Sequence, residues 1–291
     1  MKALGISRNK VFSPNSEDKD MFILHAVGEE LQQKGVEVSY LPENELLSSS
    51  LEKVDVVFSM GRDLRTVERL ELFEKEGGLV VNPSAGIRNS ERFQLSKLFL
   101  QEGIPTPRTV LLQHIPEQAD SAWPYPIWIK RGDGCAQVKA DVQLLQNTCE
   151  ANIALADFRE REINCAVVSE HLKGDLVKFY GVQDTPFFSW NYPDVSKTKF
   201  GLEEKNGPAQ GYPFHVDKMK EICDEAAKIL QIPVYGGDCI VLADGSFKII
   251  DFNDWPSFSS CREDAARAIV SFIFKAYERN YERLECYAQV K

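Results

Sequence analysis

Apolar residues recur along this chain with two periods, and the changes from one to the other mark its elements. In the first eighty residues, short apolar runs predict strands at 3–7, 36–41, 54–59 and 79–81. Between them, apolar positions spaced three and four apart predict helices over 21–34 and 66–76, stopped by Gly35 and by Gly77-Gly78. A period of two marks a half-buried strand and a period near 3.6 an amphipathic helix. Strands alternating with helices predict parallel βαβ units. A helix over 90–101 stops at Gly103, and Ile104-Pro105-Thr106-Pro107 is a rigid connector, so a boundary between lobes is expected near here. Further strands are predicted at 109–112, 124–130, 164–170, 176–182 and 186–192, with 164–170 and 176–182 forming a hairpin around Gly174-Asp175. Helices over 215–230 and 260–277 carry apolar stripes. Between them and the strands, 193–214 is polar, contains Lys197, Lys199 and Lys205, and reads as a functional or disordered loop.

The pattern is most informative at 234–258. Two apolar, β-branched runs, 236–243 and 247–253, flank Asp244-Gly245, a strong hairpin signal because both residues tolerate positive φ. A two-residue loop places Asp238 directly opposite Asp251, with Asn253 on the same face two residues on. A three-residue loop would move one aspartate to the other face. Ile240, Leu242, Phe247 and Ile249 make the setting apolar. Two opposed carboxylates there need a cation between them or a proton on one of them. An all-oxygen set of Asp, Asp and Asn suits Mg²⁺, which keeps waters and binds phosphate oxygens. The alternative is an exposed hairpin with two solvated acids.

Composition narrows the classes. With 43% hydrophobic and 27% charged residues the chain is ordinary globular material. Its net charge of −10 argues against non-specific binding to nucleic acid or an anionic membrane. No apolar run reaches the roughly 18 residues of a membrane span, and the opening MKALGISRNK is too short in apolar residues for a signal peptide. Seven scattered cysteines without a CxxC pair read as reduced thiols, so a cytoplasmic protein is expected. There is no GxxxxGK[ST] loop and no GxGxxG, so any nucleotide site is built another way.

Three cations sit at predicted strand ends. In open parallel sheets ligands bind beyond the carboxyl ends of the strands. Arg8 and Arg62 are placed there and could each hold a carboxylate or phosphate; the alternative is a solvated arginine. Lys130 ends another strand and precedes Arg131-Gly132-Asp133-Gly134-Cys135-Ala136, a loop able to close over phosphates. A lysine before a turn is also commonly just solvated.

In order, NPSAGIRNSERF…GIPTPRTVLL (82–112), PIWIK (126–130), VVSEHLKGD (167–175) and GGDCIVLADGSFKIIDFNDWPSF (236–258) resemble the ATP-grasp superfamily, in particular its carboxylate–amine ligases, the ribosomal-protein glutamate ligases among them. The resemblance implies an α/β chain with α+β lobes: a parallel-sheet pre-ATP-grasp domain over 1–84, then an ATP-grasp domain over 85–291 with a small lobe at about 108–172 and a C-terminal lobe at about 173–291. It implies ATP as cofactor, with Lys130 and Arg92 on its phosphates, Glu170 and Leu172 at the adenine edge, and Asp175 near the ribose. It implies Mg²⁺, or Mn²⁺ in its place, on Asp238, Asp251 and Asn253. The partners implied are a carboxylate and an amine or thiol, small molecule or peptide, joined through an acyl phosphate, and a homodimer is allowed; nucleic acid and membrane are not expected. Arg62 and the loop lysines are the candidates for holding the acceptor. Glu91-Arg92 stands where the family has Asp-Lys, with Lys97 a substitute for the lysine. Asp251 stands for Glu, and Asp254-Trp255-Pro256-Ser257 for Thr-x-Pro-Gly. Two other readings follow from the same residues. One is a small-molecule kinase of the inositol-phosphate kinase type, with Lys178 at the transferring phosphate; the other is a nucleotide-binding scaffold without turnover.

Overall fold

The computed structural model describes residues 1–13, 17–193 and 203–289. The N-terminal strands β1 (Lys2–Ser7), β2 (Glu37–Pro42), β3 (Val56–Ser59) and β4 (Leu79–Val81) form a parallel sheet in the order β2-β1-β3-β4. Helices α1 (Glu17–Gln33) and α2 (Leu64–Lys75) connect them, as the alternation predicts. Two short helices follow, α3 (Ser84–Asn89) and α4 (Arg92–Glu102), the latter ended by Gly103 in the left-handed region at φ 72°.

The second sheet is antiparallel. Its strands β5 (Thr109–Leu112), β6 (Ile127–Arg131), β7 (Val142–Leu145) and β8 (Ala166–Glu170) lie in the order β5-β8-β6-β7, with α5 (Thr148–Glu160) packed on one face. The third sheet holds β9 (Asp175–Val182), β10 (Phe188–Asn191), β11 (Val234–Val241) and β12 (Phe247–Asp254) in the order β10-β9-β11-β12. Its inner face, with Val177, Phe179, Cys239 and Phe252, packs on α4 and on Met219, Cys223 and Leu230 of α6 (Val216–Leu230). Helix α7 (Arg262–Gln289) returns to the first sheet, where Ala265, Ile269 and Ile273 share a core with Ile23, Val27 and Leu31 of α1, together with Trp255 and Phe258. No helix among the described residues is long and apolar enough to cross a membrane.

Three features differ from the sequence reading. The segments around Gly174-Asp175 are not a hairpin. Both edges of β8 are already taken, by β5 and β6, so β9 joins the third sheet beside β11 instead. β7 and α5 were not anticipated; the strand is only four residues long. The loop at Asp244-Gly245 has three residues, not two. Leu242 and Ser246 close it, Gly245 takes φ 81°, and Val241 faces Phe247. Alone this would turn one aspartate away. A bulge at Ile250 supplies the missing residue: Cys239 faces Ile249, but Asp238 faces Asp251. Gly237 allows the close approach here, since a Cβ on it would lie 2.3 Å from the Asp251 carbonyl oxygen.

Candidate functional site

One face of the third sheet is polar in a row running across three strands. Asp238 of β11 pairs with Lys178 of β9 on one side and with Asp251 of β12 on the other. Alternation forces this, because the neighbours Val177, Phe179, Cys239 and Phe252 all point into the opposite core. The Lys178 ammonium lies 3.0 Å from Asp238 Oδ1. Because of the bulge, both Ile250 and Asp251 face the same side, with Asn253 beyond them.

The second sheet faces this row across a cavity of about 310 Å³. Trp128 and Lys130, two apart on β6, both line it. Lys130 Nζ donates to the carbonyl of the bulged Ile250 at 2.8 Å. Burial pulls the Lys130 ammonium below its ordinary pKa, and Asp251 opposes that shift. Burial also acts to raise the Asp251 carboxyl, but Arg92, Lys130 and a hydrogen bond with Asn253 outweigh it and hold Asp251 below the ordinary carboxylate range. Arg92, at the start of α4, reaches within 3.7 Å of Asp251 and donates to the carbonyls of Arg131 (3.0 Å) and Gly134 (3.4 Å). It therefore ties the loop after Lys130 to the acidic row.

At the other end of the cavity lie Glu170 and Leu172, with Leu176 and Ile240 as apolar walls. Glu170 Oε1 accepts from the Arg108 backbone N–H at 2.7 Å, and Trp128 Nε1 donates to His171 Nδ1 at 3.1 Å. Thus Arg92, Lys130, Glu170, Leu172, Lys178, Asp238, Asp251 and Asn253 are brought together.

The oxygen donors suit a hard divalent ion: an ionised Asp251, Asp238 opposite it and Asn253 share one face. Among the described residues no three His, Cys, Asp or Glu side chains converge as a metal group. An ion on this face would therefore take Asn253 and ligand oxygens along with the two carboxylates.

Arg62 and Asp175 lie elsewhere. Arg62 is ion-paired with the buried Asp254 and lines a neighbouring cavity of about 100 Å³, which shares Cys135 with the wall of the larger one. Asp175 is 1% exposed, and its two oxygens accept the backbone N–H groups of Gln210 (2.6 Å) and Tyr212 (2.8 Å). Its carboxylate is thereby occupied in pinning the end of the 193–214 segment rather than facing a ribose. Asp175→Ala is expected to speed hydrogen exchange at Gln210 and Tyr212, with a local loss of about 1.5–3 kcal/mol, and to leave nucleotide affinity nearly unchanged. Lys197 and Lys199 fall outside the described residues; Lys205 is in a short 3₁₀ turn, Glu203–Asn206, whose Asn206 lines the cavity. Sequence reasoning missed Trp128 and Asn206 as cavity residues; Cys135 and Ala136 belong to the loop it placed over phosphates. Trp128 was available to it, being on the Lys130 face of the same strand.

No protein-family model matches the sequence, and no curated protein matches it. Solved structures do match in shape. The D-alanine–D-alanine ligase of Coxiella burnetii aligns with a TM-score of 0.72 at 11% identity, over 100% of both chains. That of Bacillus anthracis, complexed with ATP, gives 0.68 at 12% identity, over 96% of this chain and 98% of that one. A RimK domain ATP-grasp protein from Sphaerobacter thermophilus gives 0.67 at 14% identity, over 94% and 99%. These alignments run almost end to end, so the chain has the ATP-grasp fold.

Proposed function

We propose that this protein is an ATP-dependent, ADP-forming ligase that joins a carboxylate to an amine or thiol through an acyl phosphate. The observation that carries the reading is the cavity between the two antiparallel sheets. Lys130 of the second sheet and Arg92 of α4 line it together with Lys178, Asp238, Asp251 and Asn253 of the third sheet. Phosphoryl transfer asks little covalent chemistry of a protein; it needs alignment and neutralisation of charge. Lys130 and Arg92 would bind the phosphates. Glu170 and the backbone at Leu172 would meet the base, against the apolar walls of Leu176 and Ile240. Asp238, Asp251 and Asn253 would hold Mg²⁺, or Mn²⁺ in its place. When bound, that ion supplies charge neutralisation to the triphosphate. Lys178, held by Asp238, would face the group being transferred. The D-alanine–D-alanine ligases among the matching structures are consistent with this chemistry.

The test is incubation with ATP, Mg²⁺, hydroxylamine and a mixed pool of amino acids and dicarboxylates. The ligase reading predicts ADP and inorganic phosphate in equal amounts, matched by acyl hydroxamate together with any amide formed from the amines of the pool. ADP with a phosphorylated acceptor and no free phosphate would replace it with a kinase. No ADP across a broad panel, from protein that binds nucleotide, would favour a scaffold.

A further inference from the structure

The strand that carries Asp251 and Asn253 leaves the third sheet at Asp254, and this exit is gripped from the first sheet. Arg8, just past β1, donates from Nη2 to the carbonyls of Trp255 (3.1 Å) and Asp254 (3.4 Å). Its Nε donates to the Met60 carbonyl past β3 at 2.9 Å, and its Nη1 pairs with Asp20 at 3.2 Å. Arg62, also past β3, donates from Nη2 to the Asp254 carboxylate and to the Asp254 carbonyl at 3.3 Å. The Asp254 side chain is fully buried, and those of Arg8 and Arg62 are 9% and 13% exposed.

The chain also turns sharply at this point. Trp255 has φ 39° and Phe258 φ 48°, in the left-handed region that side-chain-bearing residues rarely adopt. Such a turn persists only where its surroundings hold it. Here they include Trp255 Nε1 on the Val81 carbonyl (2.9 Å) and Trp255 N on the Val234 carbonyl (3.2 Å). Asn82 adds a further brace, exchanging two 2.8 Å hydrogen bonds with the backbone of Val234. The strand end is thus located by its neighbour β11 and by groups from the first sheet and the segment after it, one residue beyond Asn253.

We propose that Arg8, Arg62 and Asp254 are positioning residues: acting through the Asp254-Trp255 backbone, the two strand-end arginines of the first sheet set the place of Asn253 and Asp251 on the third. This rests on the function proposed above. It also gives Arg62 a role different from contact with an acceptor. Groups behind metal ligands matter because a ligand set works only within narrow geometric tolerances. The second half of the Arg62–Asp254 contact is unmatched: among the described residues, Arg62 Nε and Asp254 Oδ2 are buried without hydrogen-bond partners. The arginines supply the charged bonds that hold the exit, and changes to them should be felt at the metal face.

The experiment measures the Mg²⁺ concentration giving half-maximal binding of a non-hydrolysable ATP analogue. Adenosine affinity is measured in parallel as a probe of the base end alone. Arg62→Lys keeps the charge and loses the planar fork; Asp254→Asn keeps the shape and loses the charge; Arg8→Lys tests the second arm. The expected result is an Mg²⁺ requirement raised by about 10–100-fold with adenosine affinity unchanged. Should Asp254→Asn fail to fold, Arg62→Lys and Arg8→Lys carry the test. An Mg²⁺ requirement equal to that of the native protein, or a parallel loss of adenosine binding, would overturn the inference and leave a merely structural contact. Native protein that binds the analogue without regard to Mg²⁺ would overturn the metal site itself and this inference with it.

Discussion

Lys130→Met is expected to lower ADP-forming turnover by about 10²–10³-fold, the loss seen when one buried donor to a developing charge is removed. The lysine stands where the two sheets approach, on the Ile250 carbonyl and beside Asp251. Folding stability should change far less. Burial already works against this ammonium, as its lowered pKa records, so removing it relieves a desolvation penalty. Asp251 keeps Arg92 as a partner. Steady-state ADP release and urea unfolding on the same sample separate the two effects. A variant that loses stability and turnover together would mean that Lys130 is a structural cation. Lys130→Arg keeps the charge with a different reach and should recover turnover only in part.

Asp141→Ala is expected to destabilise the protein by about 1.5–3 kcal/mol. The carboxylate is fully buried and pairs with Arg161; Arg131 lies 3.6 Å away. It also accepts the backbone N–H groups of Gln137 (2.7 Å) and Val138 (3.0 Å). Its removal leaves Arg131 with Asp133 and Arg161 with Asp157 as remaining partners, but strips the Gln137 and Val138 N–H groups of their acceptor, at the base of the loop that brings Cys135 and Ala136 to the cavity. Burial pushes the Asp141 pKa up, but the Val138 N–H, Arg161 and the Gln137 N–H outweigh it, so the folded-state pKa is below the ordinary value. The stabilisation from this group is therefore present above the unfolded-state pKa of about 3.9 and is lost as pH falls through the folded-state value. Urea midpoints from neutral pH downward should show native protein losing its advantage over Asp141→Ala only in acid. A constant difference across the acid range would contradict this.

The parts of the fold written in local pattern were legible in the sequence. The βαβ alternation, the stops at Gly35 and Gly103 and the four strands of the third sheet follow from periodicity and glycine placement. The parts set by strand edges were not. Whether 164–170 pairs with 176–182 depends on which edges are already occupied, and β5 and β6 occupy both edges of β8. The opposition of Asp238 and Asp251 was reached through a loop of the wrong length. One residue added in the turn is offset by one added at Ile250, and the bulge leaves no mark in the spacing of acids. That bulge also turns Ile250 and Asp251 to the same side and offers Lys130 its carbonyl acceptor, so the device hidden from sequence shapes the site. Arg62 was read from its place past a strand end and Asp175 from the family resemblance; the long-range partners that engage them, Asp254, Gln210 and Tyr212, are set by tertiary structure.

The most direct test of the central claim is the thermal stability of the native protein and of Asp251→Ala with a non-hydrolysable ATP analogue, with and without Mg²⁺. A ligand that binds only the folded state, at 100 times its dissociation constant, stabilises by about 2.7 kcal/mol, a readable shift in Tm. The account predicts a shift in the native protein that requires Mg²⁺ and is absent in Asp251→Ala. Folded native protein that responds to neither ATP nor GTP analogues would contradict it.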